Sequence, residues 1–136
     1  MSSRLVLIDS SIWVSHLSRR PSSHSSVIGH LLESHRVATN DVIRLEVLTG
    51  ALDEAHYAEL ADVFQGLHLL PVSGPVWQLA ARLRYELRRQ GHLPPVSDML
   101  ISASALVHEC ELLHADRHFD IIARIAPLKF YSPSHR

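Results

Sequence analysis

The chain has 136 residues, of which 46% are hydrophobic and 20% are charged, and its formal net charge at pH 7 is −1. These values are typical of a globular domain and exclude a disordered or fibrous chain, and the charge excludes a protein that coats nucleic acid by bulk positive charge. The single cysteine, Cys110, cannot form an internal disulfide, which favours a reducing compartment, and no apolar run approaches the ~20 residues that span a bilayer. We therefore expect one domain over residues 1–136, in the cytoplasm and without a membrane segment.

Short apolar runs typical of strands alternate with stretches of helical periodicity. The runs lie at residues 5–8, 37–39, 67–72, 112–115 and, more weakly, 128–131. Helical spacing covers residues 53–64 and 97–107, and a further helix is predicted to begin at Pro75 and end at Gly91. This alternation predicts an α/β fold with a parallel or mostly parallel sheet covered on both faces. In such sheets ligands bind outside the carboxyl ends of the strands.

Four carboxylates follow these runs closely enough to meet at that edge. Asp9 comes directly after the first run and Asp116 directly after the fourth, although they are far apart in sequence. Glu46 lies within the helix that is predicted to open at Asn40, after the second run, and Asp98 heads the helix of small residues. Because a helix that starts at the carboxyl end of a strand has its first turns at the same edge, all four side chains are candidates for one crevice.

Each carboxylate also has a purely structural explanation. The three aspartates could cap the helices that follow them or complement the helix dipoles, an effect worth ~0.3–1 kcal/mol. Glu46 is harder to explain in this way, because it lies on the same helical stripe as Val42 and Ile43 within an apolar stretch. We interpret it as a core-facing glutamate, which needs a partner or a metal ion.

Carboxylates gathered in one crevice repel one another. Two of them about 5 Å apart, at an effective dielectric constant of about 20, repel by roughly 3 kcal/mol, so several are tolerated only if they are protonated or bind a cation. Hard carboxylate oxygens, without cysteine or an obligatory histidine, suit Mg²⁺ or Mn²⁺. Such an ion polarises a phosphoryl group and lowers the pKa of an attacking water, which predicts metal-assisted hydrolysis of a phosphodiester.

Four segments that carry these residues, taken in order, resemble the PIN domain. The segments are residues 5–13, 44–50, 96–101 and 113–120, with Asp9-Ser10-Ser11 after the first run and Gly50 four positions after Glu46. Within that family the chain is similar to the small stand-alone toxins of VapBC-type toxin–antitoxin pairs. The likeness covers the whole chain.

The resemblance implies a three-layer α/β/α fold around a parallel sheet of four to five strands, and a Mg²⁺- or Mn²⁺-dependent endoribonuclease. The site residues that it implies are an acidic quartet of Asp9, Glu46, Asp98 and Asp116, with Ser10 or Ser11 holding the first aspartate or a metal-bound water and Asp120 supporting the quartet from outside. It further implies a homodimer, a cognate VapB-type antitoxin as partner, and structured RNA such as tRNA or ribosomal RNA as substrate.

Some cationic side chains outside the quartet are candidates for contacts with RNA or a partner. These candidates are Arg82, Arg88, Arg89 and His118. A solvated helix face explains the arginines equally well, and we expect His118 to face solvent. His114 and His118 have the i, i+4 spacing of a zinc-binding pair on a helix. Because a strand is predicted to end between them, they are not expected to lie on one helix, and the spacing does not predict a zinc site. Arg44 is expected at the surface, pointing away from Glu46.

Two other classes of protein fit parts of the pattern. Phosphotransferases and phosphatases with an aspartate nucleophile also carry it after the first strand, but they generally need a second aspartate two residues later, where this chain has Ser11. A catalytically silent PIN-like scaffold that binds RNA or protein would lack acidic positions, and all four are present. We therefore expect the metal-dependent ribonuclease, with the silent scaffold as the alternative.

Overall fold

The computed structural model describes residues 4–18 and 24–133. The strands in this part of the chain are β1 (Val6–Ile8), β2 (Val37–Thr39), β3 (His68–Leu69) and β4 (Glu111–Leu113). The helices are α1 (Ser10–His16), α2 (Ser25–Glu33), α3 (Asp41–Thr49), α4 (Glu54–Gln65), α5 (Gly74–Arg89), α6 (Val96–Val107) and α7 (Arg117–Ile122). Within the described residues, no helix is both long enough and apolar enough to cross a bilayer.

The sheet formed by these strands is parallel throughout, and β1 and β2 are its central strands. The strand order is β3-β2-β1-β4, with Leu7 of β1 opposite Ala38 of β2 on one side and Leu112 of β4 on the other. Every residue of β1 and β2 is buried, as expected when helices cover both faces of a parallel sheet. The predicted three-layer α/β/α fold is confirmed, and the carboxyl ends of all the strands lie at one edge.

Three of the predicted strands differ from the observed ones by more than one residue at an end. The third run pairs only over β3, because its partner β2 ends at Thr39 and the chain continues into the cap of α3 at Asn40. The fourth run ends at Leu113 rather than Ala115, so Asp116 does not follow its strand directly. The weak fifth run contributes one isolated bridge to β4 at Phe130. The sheet therefore has four strands, the lower of the two expected numbers.

The predicted helix that ends at Gly91 and the small-residue helix are confirmed as α5 and α6. Gly91 closes α5 with a φ of +88°, in the left-handed region that favours glycine. The N–H groups of Gly91 and His92 donate to the carbonyls of Arg88 and Leu87, which satisfies the last turn. The connection to α6 spans only residues 90–95 and the two helices pack together, so the end of α5 lies beside the beginning of α6.

Helix α3 begins at the carboxyl end of β2, where Asn40 caps it. The Asn40 side chain is fully buried. Its Oδ1 accepts a hydrogen bond from the N–H of Ile43 at 2.9 Å, and its Nδ2 donates to Ser104 Oγ of α6 at 3.0 Å. One side chain therefore starts α3 and ties it to α6, and these are the helices that carry Glu46 and Asp98.

Candidate active site

Asp9 lies at the middle of the edge where the strands end. Its backbone N–H donates to the carbonyl of Leu113 at 3.0 Å, which extends the pairing of β1 with β4. Its side chain accepts a hydrogen bond from Ser11 Oγ at 2.6 Å. Asp9 is 4% exposed, and this burial raises the pKa of its carboxyl, although hydrogen bonds from Ser11 and Ser10 oppose the rise. The site thus holds a poorly solvated carboxylate that a cation would stabilise.

Glu46 reaches the same edge from α3, but not as a core-facing residue. The buried side chains of α3 are Ile43 and Val47, whereas Glu46 is exposed. The interpretation of a core-facing glutamate is therefore wrong, because the buried stripe runs beside Glu46 and not through it. Glu46 Oε1 accepts a hydrogen bond from Ser10 Oγ at 2.7 Å, and its negative charge contributes to the raised pKa of Asp9.

Asp98 enters the cluster from the first turn of α6, with a side chain that is 13% exposed. The pKa of Asp98 is raised to about 6, first by burial and then by the negative charges of Asp9 and Asp116. The contact with His118 lowers the pKa only in part. Asp98 therefore lies close enough to two other carboxylates for their charges to act on it, which a residue that only complements a helix dipole would not require.

Asp116 has two roles in the same place. Its Oδ1 accepts a hydrogen bond from the backbone N–H of His118 at 2.9 Å and so caps α7. The His118 side chain then turns back, so that its Nδ1 lies 3.2 Å from Asp116 Oδ1 and 3.1 Å from Asp98 Oδ2. One ligand atom from each of these three residues lies within 4.8 Å of the others. Capping and membership of the carboxylate cluster are thus compatible at Asp116.

The two histidines near Asp116 face different surroundings. His114 lies between β4 and α7, where its Nδ1 accepts a hydrogen bond from the N–H of Asp116 at 3.1 Å and its ring packs against Phe119 and Phe130. His118 faces the carboxylates and is half-buried. The expectation that His118 faces solvent is therefore wrong. His114 lies after the end of β4 and His118 lies within α7, so the two histidines do not share a helix.

Asp120 and Arg44 lie beside the carboxylate cluster. Asp120 is largely exposed, and its Oδ1 is 3.8 Å from His114 Nε2. It therefore touches the histidine that in turn accepts a hydrogen bond from the backbone of Asp116. Arg44 pairs with Asp41 of the same helix at 3.0 Å, whereas Glu46 bonds with Ser10. Arg44 is therefore not paired with Glu46, as predicted.

The three arginines proposed for RNA or partner contacts lie along α5. Arg82 pairs with Glu86 at 3.7 Å and lies over the ring of Tyr85, 5.4 Å from its centroid. Arg88 and Arg89 are exposed at the end of the helix. Within the described residues, no hydrogen bond or ion pair joins any of the three to the carboxylate cluster, but the end of α5 adjoins the beginning of α6.

Sequence reasoning missed two side chains that organise this region. His118 connects Asp98 with Asp116, and the signal for it was a histidine two residues after an aspartate that caps a helix. Asn40 joins α3 to Ser104 of α6. The signal for Asn40 was an asparagine directly after a buried strand, at the same edge of the sheet as the catalytic candidates.

The donor set fits a hard divalent cation. The negative charges of Asp9, after β1, and of Asp116, at the cap of α7, both act on Asp98 of α6, and the charge of the exposed Glu46 acts on Asp9. Burial and like charge disfavour ionisation of Asp9 and Asp98 in the absence of a counter-charge. Oxygen ligands of this kind suit Mg²⁺, Ca²⁺ or Mn²⁺ rather than a soft metal.

Residues 6–125 match the PIN domain family. The chain is 34% identical to ribonuclease VapC11 of Mycobacterium tuberculosis over 129 residues, which are 92% of this chain and 96% of that protein. Its fold is similar to the crystal structure of VapBC2 from Rickettsia felis bound to a DNA fragment from their promoter, with a TM-score of 0.78 and 20% identity over 93% of this chain and 97% of that one. A toxin–antitoxin complex from Klebsiella pneumoniae gives a TM-score of 0.68 and 20% identity, over 92% of this chain and 99% of that one.

The raised pKa of Asp98 makes the stability of the metal-free protein depend on pH. Because the folded pKa of about 6 exceeds the ordinary value of 3.8, stability is full below about pH 4 and is lost as the pH rises through about 6. Asp98→Asn should therefore raise the melting temperature near pH 7 by several degrees, because it removes a buried charge and its repulsion by Asp9 and Asp116, worth about 2 kcal/mol, and by almost nothing near pH 4. Thermal unfolding in EDTA at both pH values measures this. Asp62→Asn, which changes an exposed carboxylate of α4, is the control, and an equal gain at both pH values would contradict the account.

The two roles of Asp116 can be separated by two substitutions. Asparagine caps a helix about as well as aspartate, so Asp116→Asn should keep the stability of the metal-free protein, whereas Asp116→Ala should lower it by about 1 kcal/mol. Both should weaken Mn²⁺ binding, because both remove the carboxylate charge. Urea unfolding and calorimetric titration measure the two effects. Full Mn²⁺ affinity in Asp116→Asn would leave Asp116 with the capping role alone.

Proposed function

The chain belongs to the PIN-domain family and, within it, to the VapC ribonucleases, and from that premise we propose its activity. It is a divalent-metal-dependent endoribonuclease and the toxin of a type II toxin–antitoxin pair. It hydrolyses phosphodiester bonds in structured RNA, either tRNA or ribosomal RNA, with water as the nucleophile. The observation that carries this proposal is the cluster of Asp9, Asp98 and Asp116, in which burial and then the negative charges of the other two aspartates raise the pKa of Asp98 to about 6.

The proposed cofactor is Mg²⁺ or Mn²⁺. The three clustered aspartates would hold it, and Glu46 would complete the acidic quartet from α3. When bound, the ion polarises the phosphoryl group and acidifies the attacking water. Support for a hard ion comes from the carboxylate donors and from the burial of Asp9, which is 4% exposed.

The protein's own residues orient the reacting groups. Ser11 holds the carboxylate of Asp9 and Ser10 holds that of Glu46, so neither acid rotates freely. Glu46 keeps one side open to solvent, where it orients a water toward the phosphate. His118 lies between Asp98 and Asp116 and keeps their oxygens a fixed distance apart when no cation is present.

The proposed protein partners are a cognate VapB-type antitoxin and a second copy of this chain, and the proposed location is the cytoplasm. Support for the antitoxin comes from the similarity of the fold to a toxin–antitoxin complex. The alternative of a catalytically silent scaffold is disfavoured, because the chain keeps all four acids together with the two serines that hold Asp9 and Glu46.

Cleavage of total RNA should require added Mg²⁺ or Mn²⁺ and should stop in EDTA. Asp9→Asn should lower the cleavage rate by ~100-fold or more, because it removes a charge aimed at the cation. Its melting temperature should be unchanged or raised, since a buried charge is removed. Asp62→Asn on α4 should cleave at the normal rate. Cleavage without metal would contradict the mechanism, and a wild-type protein that binds RNA but never cuts it would favour the silent scaffold.

Glu46→Gln should weaken Mn²⁺ binding by about tenfold, measured by calorimetric titration. Glutamine can still accept the hydrogen bond of Ser10, so the change removes charge and little else. Glu59→Gln, on the exposed side of α4, is the matched control and should bind Mn²⁺ normally. Unchanged affinity in Glu46→Gln would remove Glu46 from the metal site.

A further inference from the structure

A hollow of about 610 Å³ opens directly beside the carboxylate cluster, between the α5–α6 connection and α7. We call it the α7 groove. It is lined by residues 91–94, Arg117, His118, Asp120, Ile121 and Arg124. His118 lines this groove and also lies against Asp98 and Asp116, so the groove and the cluster share a side chain. A chain bound at the cluster can therefore continue into the α7 groove.

The arginines of the α7 groove are free to bind an anion. Arg117 and Arg124 are exposed, and neither has an ion-pair or hydrogen-bond partner for its side chain within residues 4–18 and 24–133. Of the other arginines, Arg36 lies 3.8 Å from Glu111 and Arg84 donates to a backbone carbonyl, whereas Arg88 and Arg89 are exposed at the end of α5. An unpaired guanidinium offers several donors in a geometry that matches a phosphate.

The α4 side of the site has the opposite charge. Helix α4 packs against α3, the helix of Glu46. Its exposed acids are Asp53 at the cap, Glu54, Glu59 and Asp62. No lysine or arginine lies between positions 53 and 62. A polyanion that passes through the site is therefore repelled on the α4 side and attracted on the α7 side.

We infer that the α7 groove holds the RNA strand adjacent to the scissile phosphate, with Arg117 and Arg124 as contacts to neighbouring backbone phosphates. This inference rests on the proposed function and adds to it a path for the substrate. Both arginines are positioning residues. They bind phosphates that do not react, so they raise affinity without sequence preference.

A second hollow, of about 290 Å³, extends the same path. It is lined by Tyr85, Glu86, Arg89, Gln90 and Ile125, of which Gln90 and Ile125 are the sequence neighbours of Gly91 and Arg124 in the α7 groove. Tyr85 is 53% exposed, and Arg82 lies over one face of its ring, so the other face is the one on which a base can stack. Of the arginines proposed on α5, Arg89 lies on this path.

The test is RNA binding by protein that carries Asp9→Asn, so that the probe survives. The probe is a short fluorescein-labelled RNA of mixed sequence, and its anisotropy is followed in Mg²⁺ over a range of KCl concentrations. Adding Arg124→Gln should weaken binding by about tenfold and reduce the slope of log K against log salt by about 0.7. Arg44→Gln, which removes an arginine of α3 already paired with Asp41, is the matched control and should change neither quantity.

The outcomes separate this inference from the proposed function. If wild-type protein cleaves RNA but Arg124→Gln leaves affinity and salt slope unchanged, the inference is overturned and the proposed function stands. An equal loss in Arg44→Gln also overturns it, because the effect is then one of net charge. Loss of antitoxin binding in Arg124→Gln with RNA affinity intact would assign the groove to the antitoxin. If the wild-type protein neither binds nor cleaves RNA, both proposals fail.

Discussion

Repulsion among carboxylates at the carboxyl edge of the sheet is the constraint on which the rest of the site depends. A parallel sheet brings Asp9 to the edge where β4 and β2 also end, and α6 and α7 add Asp98 and Asp116. Burial and like charge together raise the pKa of Asp98 to about 6. The fold therefore needs fixed neighbours to keep these groups together. The serines after β1 and the ring of His118 supply them, and a divalent cation would relieve the repulsion that remains.

How much of this the sequence reveals depends on the range of the interactions. Asp9 and Asp98 could be predicted because they follow from local patterns, namely the end of an apolar run and the beginning of a helix. The exposure of Glu46 could not be predicted, because packing of α3 against α1, α4 and α6 decides which of its side chains are buried. The contact between His118 and Asp98 could not be predicted for the same reason, since it forms only when α7 packs on α6. The short extent of β3 could not be predicted either, because it follows from the end of its partner strand β2 at Thr39.

A net charge of −1 conceals a strong asymmetry across the site. Acids concentrate on α4, whereas arginines without partners among the described residues line the α7 groove. A uniformly basic surface would attract RNA in every orientation. An acidic flank on one side and a basic groove on the other instead favour a single direction of approach, so that the strand meets the cluster from α7. The buried Asn40–Ser104 hydrogen bond, 3.0 Å long, joins the cap of α3, which packs against α4, to α6, which packs against α7.

The central claim is that a divalent cation is held by the clustered aspartates. The most direct measurement is anomalous diffraction from crystals soaked in Mn²⁺, with data collected near the manganese absorption edge. We predict a strong anomalous peak within coordination distance of carboxylate oxygens from Asp9, Asp98 and Asp116. A peak at another site, or no peak at the cluster under saturating Mn²⁺, would contradict the account.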